Sequence, residues 1–237
     1  MNTGSAHSHP HPHSHPHFGR PLCRDDLVSG SLRAAFVNSE MAAIAWSEAR
    51  LDASLDCVLA QLPPGDVWVF GYGSLIWNPL ITFAERRLAK VYGLHRSFCL
   101  WSRIGRGTPQ QPGLVLGLDH GGSCAGLAYR IEAQHAREEL RLLWRREMVT
   151  GAYVPTWVKA RTPQGAVPAV AFVINHRSVA YAGKQSTPAA ARCIATASGL
   201  HGPCTEYLVR TLRGLREHGI EDHALCAVER ELAALPA

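Results

Sequence analysis

Apolar positions in the first third of the chain recur at helical spacing. From Ser39 to Leu62, the residues Ile44, Leu51, Leu55, Val58, Leu59 and Leu62 share one face. Ser39 is an N-cap candidate, and Pro63-Pro64-Gly65 closes the element. The period then changes. Val67–Gly71 is an unbroken run of apolar, β-branched and aromatic residues, the pattern of a short buried strand. Six more strand-like runs follow at Leu88–Tyr92, Ser97–Trp101, Leu114–Leu118, Cys124–Ile131, Tyr153–Ala160 and Val167–Ile174. Asp119-His120-Gly121-Gly122 reads as a hairpin turn, Pro163-Gln164-Gly165 as another, and Arg106–Gly113 as a rigid Pro/Gly loop.

Helical spacing occupies Glu132 to Met148 and resumes near the C-terminus. Thr187-Pro188 opens a helix expected to end at Gly199. Thr205–His218 carries Leu208, Leu212 and Leu215 on its inner face, and Asp222 caps a last helix with Leu225, Val228, Leu232 and Leu235 on one side. The series predicts an α+β fold: a mixed, closed or strongly curled β-sheet of about seven strands surrounded by helices.

Composition narrows the possibilities. A chain of 237 residues that is 46% hydrophobic supports one substantial domain. Residues 1–22 are low in complexity, with His7, His9, His11, His13, His15 and His17 spaced by Ser and Pro, and disorder is expected there. Such a tail either binds Ni²⁺ or Zn²⁺ adventitiously or is merely solvated. A helical extension over 23–65 and a main domain over 66–237 complete the expected organisation. The net charge of +5 is modest and the arginines are dispersed, which argues against a nucleic-acid partner. Seven cysteines stand singly, without a Cys-x-x-Cys pair, so neither a disulfide frame nor a zinc site is expected. No apolar stretch is long enough to span a membrane and no signal-peptide core is visible, so a cytoplasmic protein without a membrane partner is expected.

Two places carry candidate chemistry. The first strand runs into Gly71-Tyr72-Gly73-Ser74-Leu75-Ile76. Glycines here permit unusual backbone or close approach, and the turn is either a packing device or a cradle of backbone N–H groups for a carboxylate. It is not a nucleotide loop, since the third glycine and the lysine of those motifs are missing. The second place is Glu147. Ala136, Leu140, Leu143, Trp144 and position 147 form the inward stripe of one helix, which sets a carboxylate on a buried face. Burial and the negative end of the helix dipole both raise its pKa, while Arg145 and Arg146 are expected to point off the stripe into solvent. Glu147 is therefore either a general base tuned towards neutrality or half of a structural ion pair. Tyr207, in the first turn of its helix beside a Gly-Pro loop, either offers a hydroxyl to a ligand or fills the core.

These stretches resemble one family. Val69-Phe70-Gly71-Tyr72-Gly73-Ser74-Leu75-Ile76-Trp77 is similar to the signature loop of the ChaC-like γ-glutamylcyclotransferases. Arg96-Ser97-Phe98-Cys99, Arg106-Gly107-Thr108-Pro109 with Pro112-Gly113, Gly126–Arg130, Arg146-Glu147 and Glu206-Tyr207-Leu208 follow in the family's order, over roughly residues 66–235. The resemblance implies a γ-glutamylcyclotransferase-like catalytic domain that cleaves glutathione to 5-oxoproline and cysteinylglycine without cofactor or metal. It places the catalytic base on Glu147 and the substrate loop on residues 71–76. Arg106 and Tyr207 are further substrate-binding candidates, and Arg96 and Arg106 either neutralise the tripeptide's distal carboxylate or have surface or structural roles. Rival readings are an amidase using Cys99, Cys124 or Ser74, a cyclotransferase of different substrate range, and a non-catalytic γ-glutamyl-binding module.

Overall fold

The structure, a computed structural model, describes residues 19–62 and 64–236. The expected disorder and metal contacts of His7–His17 lie outside these residues. Gly19–Leu22, which fall within the expected tail, are held in place instead. The Gly19 N–H donates to the Leu200 carbonyl at 3.1 Å, and the Leu22 carbonyl accepts from Asn78 Nδ2 at 2.9 Å.

Five strands close a barrel: β1 (Val67–Gly71), β2 (Glu85–Ser102), β3 (Gly113–Ile131), β4 (Tyr153–Thr162) and β5 (Gly165–Ile174). Their spatial order is β1-β3-β2-β4-β5, and a short parallel pairing of β1 with β5 completes the circle. The expected seven segments become five strands because two breaks are bulges rather than turns. Tyr92 pairs with Ser123 and Leu94 with His120, so Gly93 opposes Gly121-Gly122 and both long strands run on. All three glycines have positive φ, at 79°, 100° and 65°. Glycine in a ladder marks such a bulge as readily as a turn. The true β2–β3 connection is the Pro/Gly loop at 103–112. The β4–β5 hairpin falls where expected, with Thr162 opposite Gly165.

β1 is buried at every position. The barrel is filled by Phe70, Tyr129 and Phe172, and Trp144 packs on Phe172 with ring centroids 5.4 Å apart. Trp144 belongs to α4 (Ala136–Glu147), whose Ala136, Leu140 and Leu143 are buried as the stripe requires. Fully burying one such leucine contributes about 1.5–3 kcal/mol.

Ahead of the barrel lie α1 (Arg24–Val28), α2 (Ser31–Val37), a 3₁₀ turn at Ala42–Ile44, and α3 (Glu48–Leu59). The single helix expected from Ser39 is thus broken. The Ser39 hydroxyl donates back to the Phe36 carbonyl at 2.8 Å and ends α2, while Ser47 caps α3 by accepting from the Arg50 N–H at 3.2 Å. Each serine offers the backbone a local alternative to continuous helix. After the barrel come α5 (Thr187–Thr196), α6 (Cys204–Glu217) and α7 (His223–Ala233). The first of these stops before Gly199, because Ser198–Gly199 pairs with Gly202–Pro203. Asp222 caps the last one by accepting from Leu225 N–H at 3.0 Å. Among the described residues no helix is long and apolar enough to cross a membrane.

Candidate active site

β1 delivers the chain into Tyr72-Gly73 and then a 3₁₀ turn at Ser74–Ile76. Neither Gly71 nor Gly73 has positive φ; close approach is the reason for both. A Cβ on Gly71 would lie 3.0 Å from Leu75 Cβ and from the Tyr129 ring, and one on Gly73 would lie 3.2 Å from Tyr207 Oη. The backbone N–H groups of Gly73, Ser74 and Leu75 find no acceptor among the described residues. Free N–H groups at the start of a helical turn are matched to an anion. The turn itself is fixed from behind. Tyr72 OH donates to the Phe172 carbonyl at 2.7 Å, Tyr129 OH to the Leu75 carbonyl at 2.7 Å, and Arg96 Nε to the Tyr72 carbonyl.

Glu147 closes the last turn of α4, and its side chain is 14% exposed. Burial drives its pKa up, and the guanidinium of Arg146 opposes this only in part. The expectation that both neighbouring arginines reach into solvent is corrected. Arg146 is 7% exposed and places Nε 2.9 Å from Glu147 Oε1. It also donates from Nη2 to Ser74 Oγ at 2.7 Å and from Nη1 to the Asn78 carbonyl at 2.5 Å. Arg145 turns to Glu48, with Nη2 at 3.0 Å from Oε2, and to the Leu27 and Val28 carbonyls. A long guanidinium stem lets a residue off the buried stripe still reach the core, which apolar spacing does not register.

Glu147 lines two neighbouring spaces, which also share Ser74, Tyr153 and Tyr207 as walls. An inner niche of about 20 Å³ is bounded by Tyr72–Leu75, Leu116, Tyr153, Phe172 and Tyr207. An outer chamber of about 200 Å³ also touches Ser74, Tyr153 and Tyr207 and extends to Arg106 and His201. Tyr207 Oη accepts from the Leu116 N–H at 3.3 Å, and its own proton has no acceptor among the described residues. Tyr153 OH donates to the Leu116 carbonyl at 3.0 Å.

The structure therefore brings Tyr72, Gly73, Ser74, Leu75, Tyr207 and Glu147 around one space. Gly71 and Ile76 support the turn from outside it; Ile76 Cγ2 would lie 3.1 Å from a Cβ on Gly214. Arg106 borders the outer chamber with its charge already matched, Nη1 lying 2.9 Å from Glu206 Oε2 and 3.1 Å from the Pro203 carbonyl. Arg96 is likewise engaged, at 2.5 Å from Asp222 Oδ2. Arg146, Tyr153, Leu116 and Phe172 were not singled out by sequence reasoning; Arg146 was detectable only as the neighbour of Glu147. The rival nucleophiles fit poorly. Cys99 and Cys124 are buried, burial pushes both thiols up, and Cys99 reaches about 11. Ser74 Oγ is engaged by Arg146.

The closed barrel with its surrounding helices is similar in fold to solved γ-glutamylcyclotransferases. The yeast glutathione-specific γ-glutamylcyclotransferase structure superposes with a TM-score of 0.66 at 23% identity, covering 71% of this chain and 96% of that one. The model of the ChaC-like protein family matches residues 67–235, and the chain belongs to that family. The glutathione-specific γ-glutamylcyclotransferase of Escherichia coli is 40% identical over 206 residues, 86% of this chain and 89% of the relative. Human glutathione-specific γ-glutamylcyclotransferase 1 is 33% identical over 161 residues, 64% of this chain and 72% of the relative.

Proposed function

We propose that this protein cleaves glutathione by intramolecular aminolysis, releasing 5-oxoproline and cysteinylglycine, with Glu147 as general base and then general acid. The observation that carries the reading is the position of the Glu147 carboxylate, buried with a raised pKa on the same niche as the unsatisfied N–H groups of Gly73–Leu75. The names of the Escherichia coli and human relatives supply the substrate.

The chemistry needs few groups. The glutamyl α-amine is an ammonium at neutral pH and is not a nucleophile. Glu147 takes one proton, the free amine attacks the γ-carbonyl carbon, and a five-membered ring forms. The tetrahedral intermediate collapses by breaking the bond to the cysteinyl nitrogen, which receives the first proton back from Glu147, and the ring nitrogen then gives up its second proton through Glu147 to the released amine, which leaves as an ammonium. No water is consumed. The N–H groups of Gly73–Leu75 and the Tyr207 hydroxyl hold the glutamyl α-carboxylate, which folds the substrate into the near-attack shape. Arg146 positions both Glu147 and Ser74 for this geometry.

A reducing compartment, the cytoplasm, suits seven unpaired cysteines and a thiol tripeptide substrate. Purified protein incubated with glutathione should release 5-oxoproline and cysteinylglycine in equal amounts. Binding of glutathione without either product would make the protein a γ-glutamyl-binding module instead.

A further inference from the structure

The inner niche has room for little more than one water-sized group, so only the tip of the glutamyl unit enters it. The rest of a γ-glutamyl peptide must extend into the outer chamber. One wall of that chamber comes from the segment ahead of the barrel: Leu22, Leu32, Phe36, Met41 and Ile44. Every residue this segment contributes is apolar, and the segment lies outside the stretch matched by the family model.

The wall is fixed rather than draped. Arg24 forks onto the buried carboxylate of Glu139, with both N–O distances 2.7 Å. Arg145 donates to the Leu27 and Val28 carbonyls at 3.0 Å each, and the Trp46 N–H donates to the Val149 carbonyl at 2.8 Å. Glu139 and Arg145 both belong to α4, the helix that ends in Glu147. The wall and the catalytic carboxylate therefore form one body at a set spacing.

We propose that the segment Leu22–Ile44 is the specificity wall for the residue that follows the γ-glutamyl unit, accepting a small uncharged side chain such as that of cysteine. The inference rests on the glutathione reading above. A charged side chain turned to that wall would lose its water against five apolar groups, none of which offers it a partner. A bulky one would collide with a surface braced on α4.

Full-length Phe36→Ala and Met41→Ala variants, assayed with glutathione and with S-benzylglutathione, test this. With glutathione, KM should rise about fivefold while kcat stays within about twofold, because apolar contact with the cysteinyl side chain is lost. With S-benzylglutathione, kcat/KM should rise about fivefold as the truncated wall makes room. Opposite movement of the two substrates is the supporting result. A parallel fall for both, or no change in either, would overturn the inference. Phe36 also packs on the Leu27, Leu32 and Leu142 cluster, whereas Met41 is not part of it, so the second variant separates recognition from folding. Wild-type protein that releases no 5-oxoproline would remove the glutathione reading itself; wild-type turnover with parallel variant effects would remove only the wall.

Discussion

Arg146 Nη2 donates to Ser74 Oγ at 2.7 Å, which ties the helix carrying the carboxylate to the turn carrying the free N–H groups. The same guanidinium sits 2.9 Å from Glu147 Oε1. One side chain thereby sets the distance between the Glu147 carboxylate and the N–H groups of Gly73–Leu75. It also holds down, in part, a carboxyl pKa that burial raises.

Arg146→Ala should therefore act through pH as well as through rate. Without the cation, the Glu147 pKa rises further, and the acidic limb of kcat/KM moves to higher pH. Activity at neutral pH should fall about tenfold or more, as expected when a positioned proton-transfer group is disturbed. Arg146→Lys keeps the charge but loses the fork, so its limb should stay near that of wild type while its rate falls. A pH profile of each variant checks both halves.

The raised pKa has a stability counterpart. A carboxyl that binds its proton more tightly folded than unfolded contributes its full stability below the ordinary value of 4.5, and this is lost as pH rises through the folded value. Glu147→Gln removes the burial penalty of the charge. Its Tm should exceed wild type at pH 7–8, where the wild-type carboxylate is charged against that penalty. The difference should shrink as pH is taken below 4.5. Calorimetry at several pH values tests the sign.

Gly73 and Tyr207 are coupled by contact. A methyl on Gly73 would press on Tyr207 Oη at 3.2 Å, so Gly73→Ala should displace the hydroxyl and lower kcat/KM about tenfold. In a Tyr207→Phe background the clash is gone, and the further loss from Gly73→Ala should drop to about threefold or less. A double-mutant cycle on kcat/KM measures the coupling.

Much of this site was legible from residue types and spacing. The stripe Ala136, Leu140, Leu143, Trp144 put Glu147 inside, and it is inside. Gly71-Tyr72-Gly73-Ser74 after a buried strand suggested free N–H groups, and Gly73–Leu75 carry them. What escaped has physical reasons. Spacing along one helix says where a Cα faces, and not where a guanidinium at the end of a long stem arrives, so Arg146 was misplaced. Glycine punctuation does not separate a turn from a bulge, so Gly93 and Gly121-Gly122 split two long strands into four. The wall formed by Leu22–Ile44 depends on contacts with residues more than 100 positions away, such as Arg24 with Glu139, which local pattern does not reveal.

Cysteine chemistry should be dispensable. Cys99→Ala and Cys124→Ala should keep activity within about threefold of wild type, because a buried protonated thiol is not a nucleophile. Iodoacetamide treatment before the assay should leave 5-oxoproline release intact.

The most direct test is 5-oxoproline release from glutathione by Glu147→Gln beside wild type, with both shown to be folded. Loss of a positioned acid–base group predicts a drop in kcat of about 10²–10⁴-fold. A Glu147→Gln protein that releases 5-oxoproline at the wild-type rate would contradict the account.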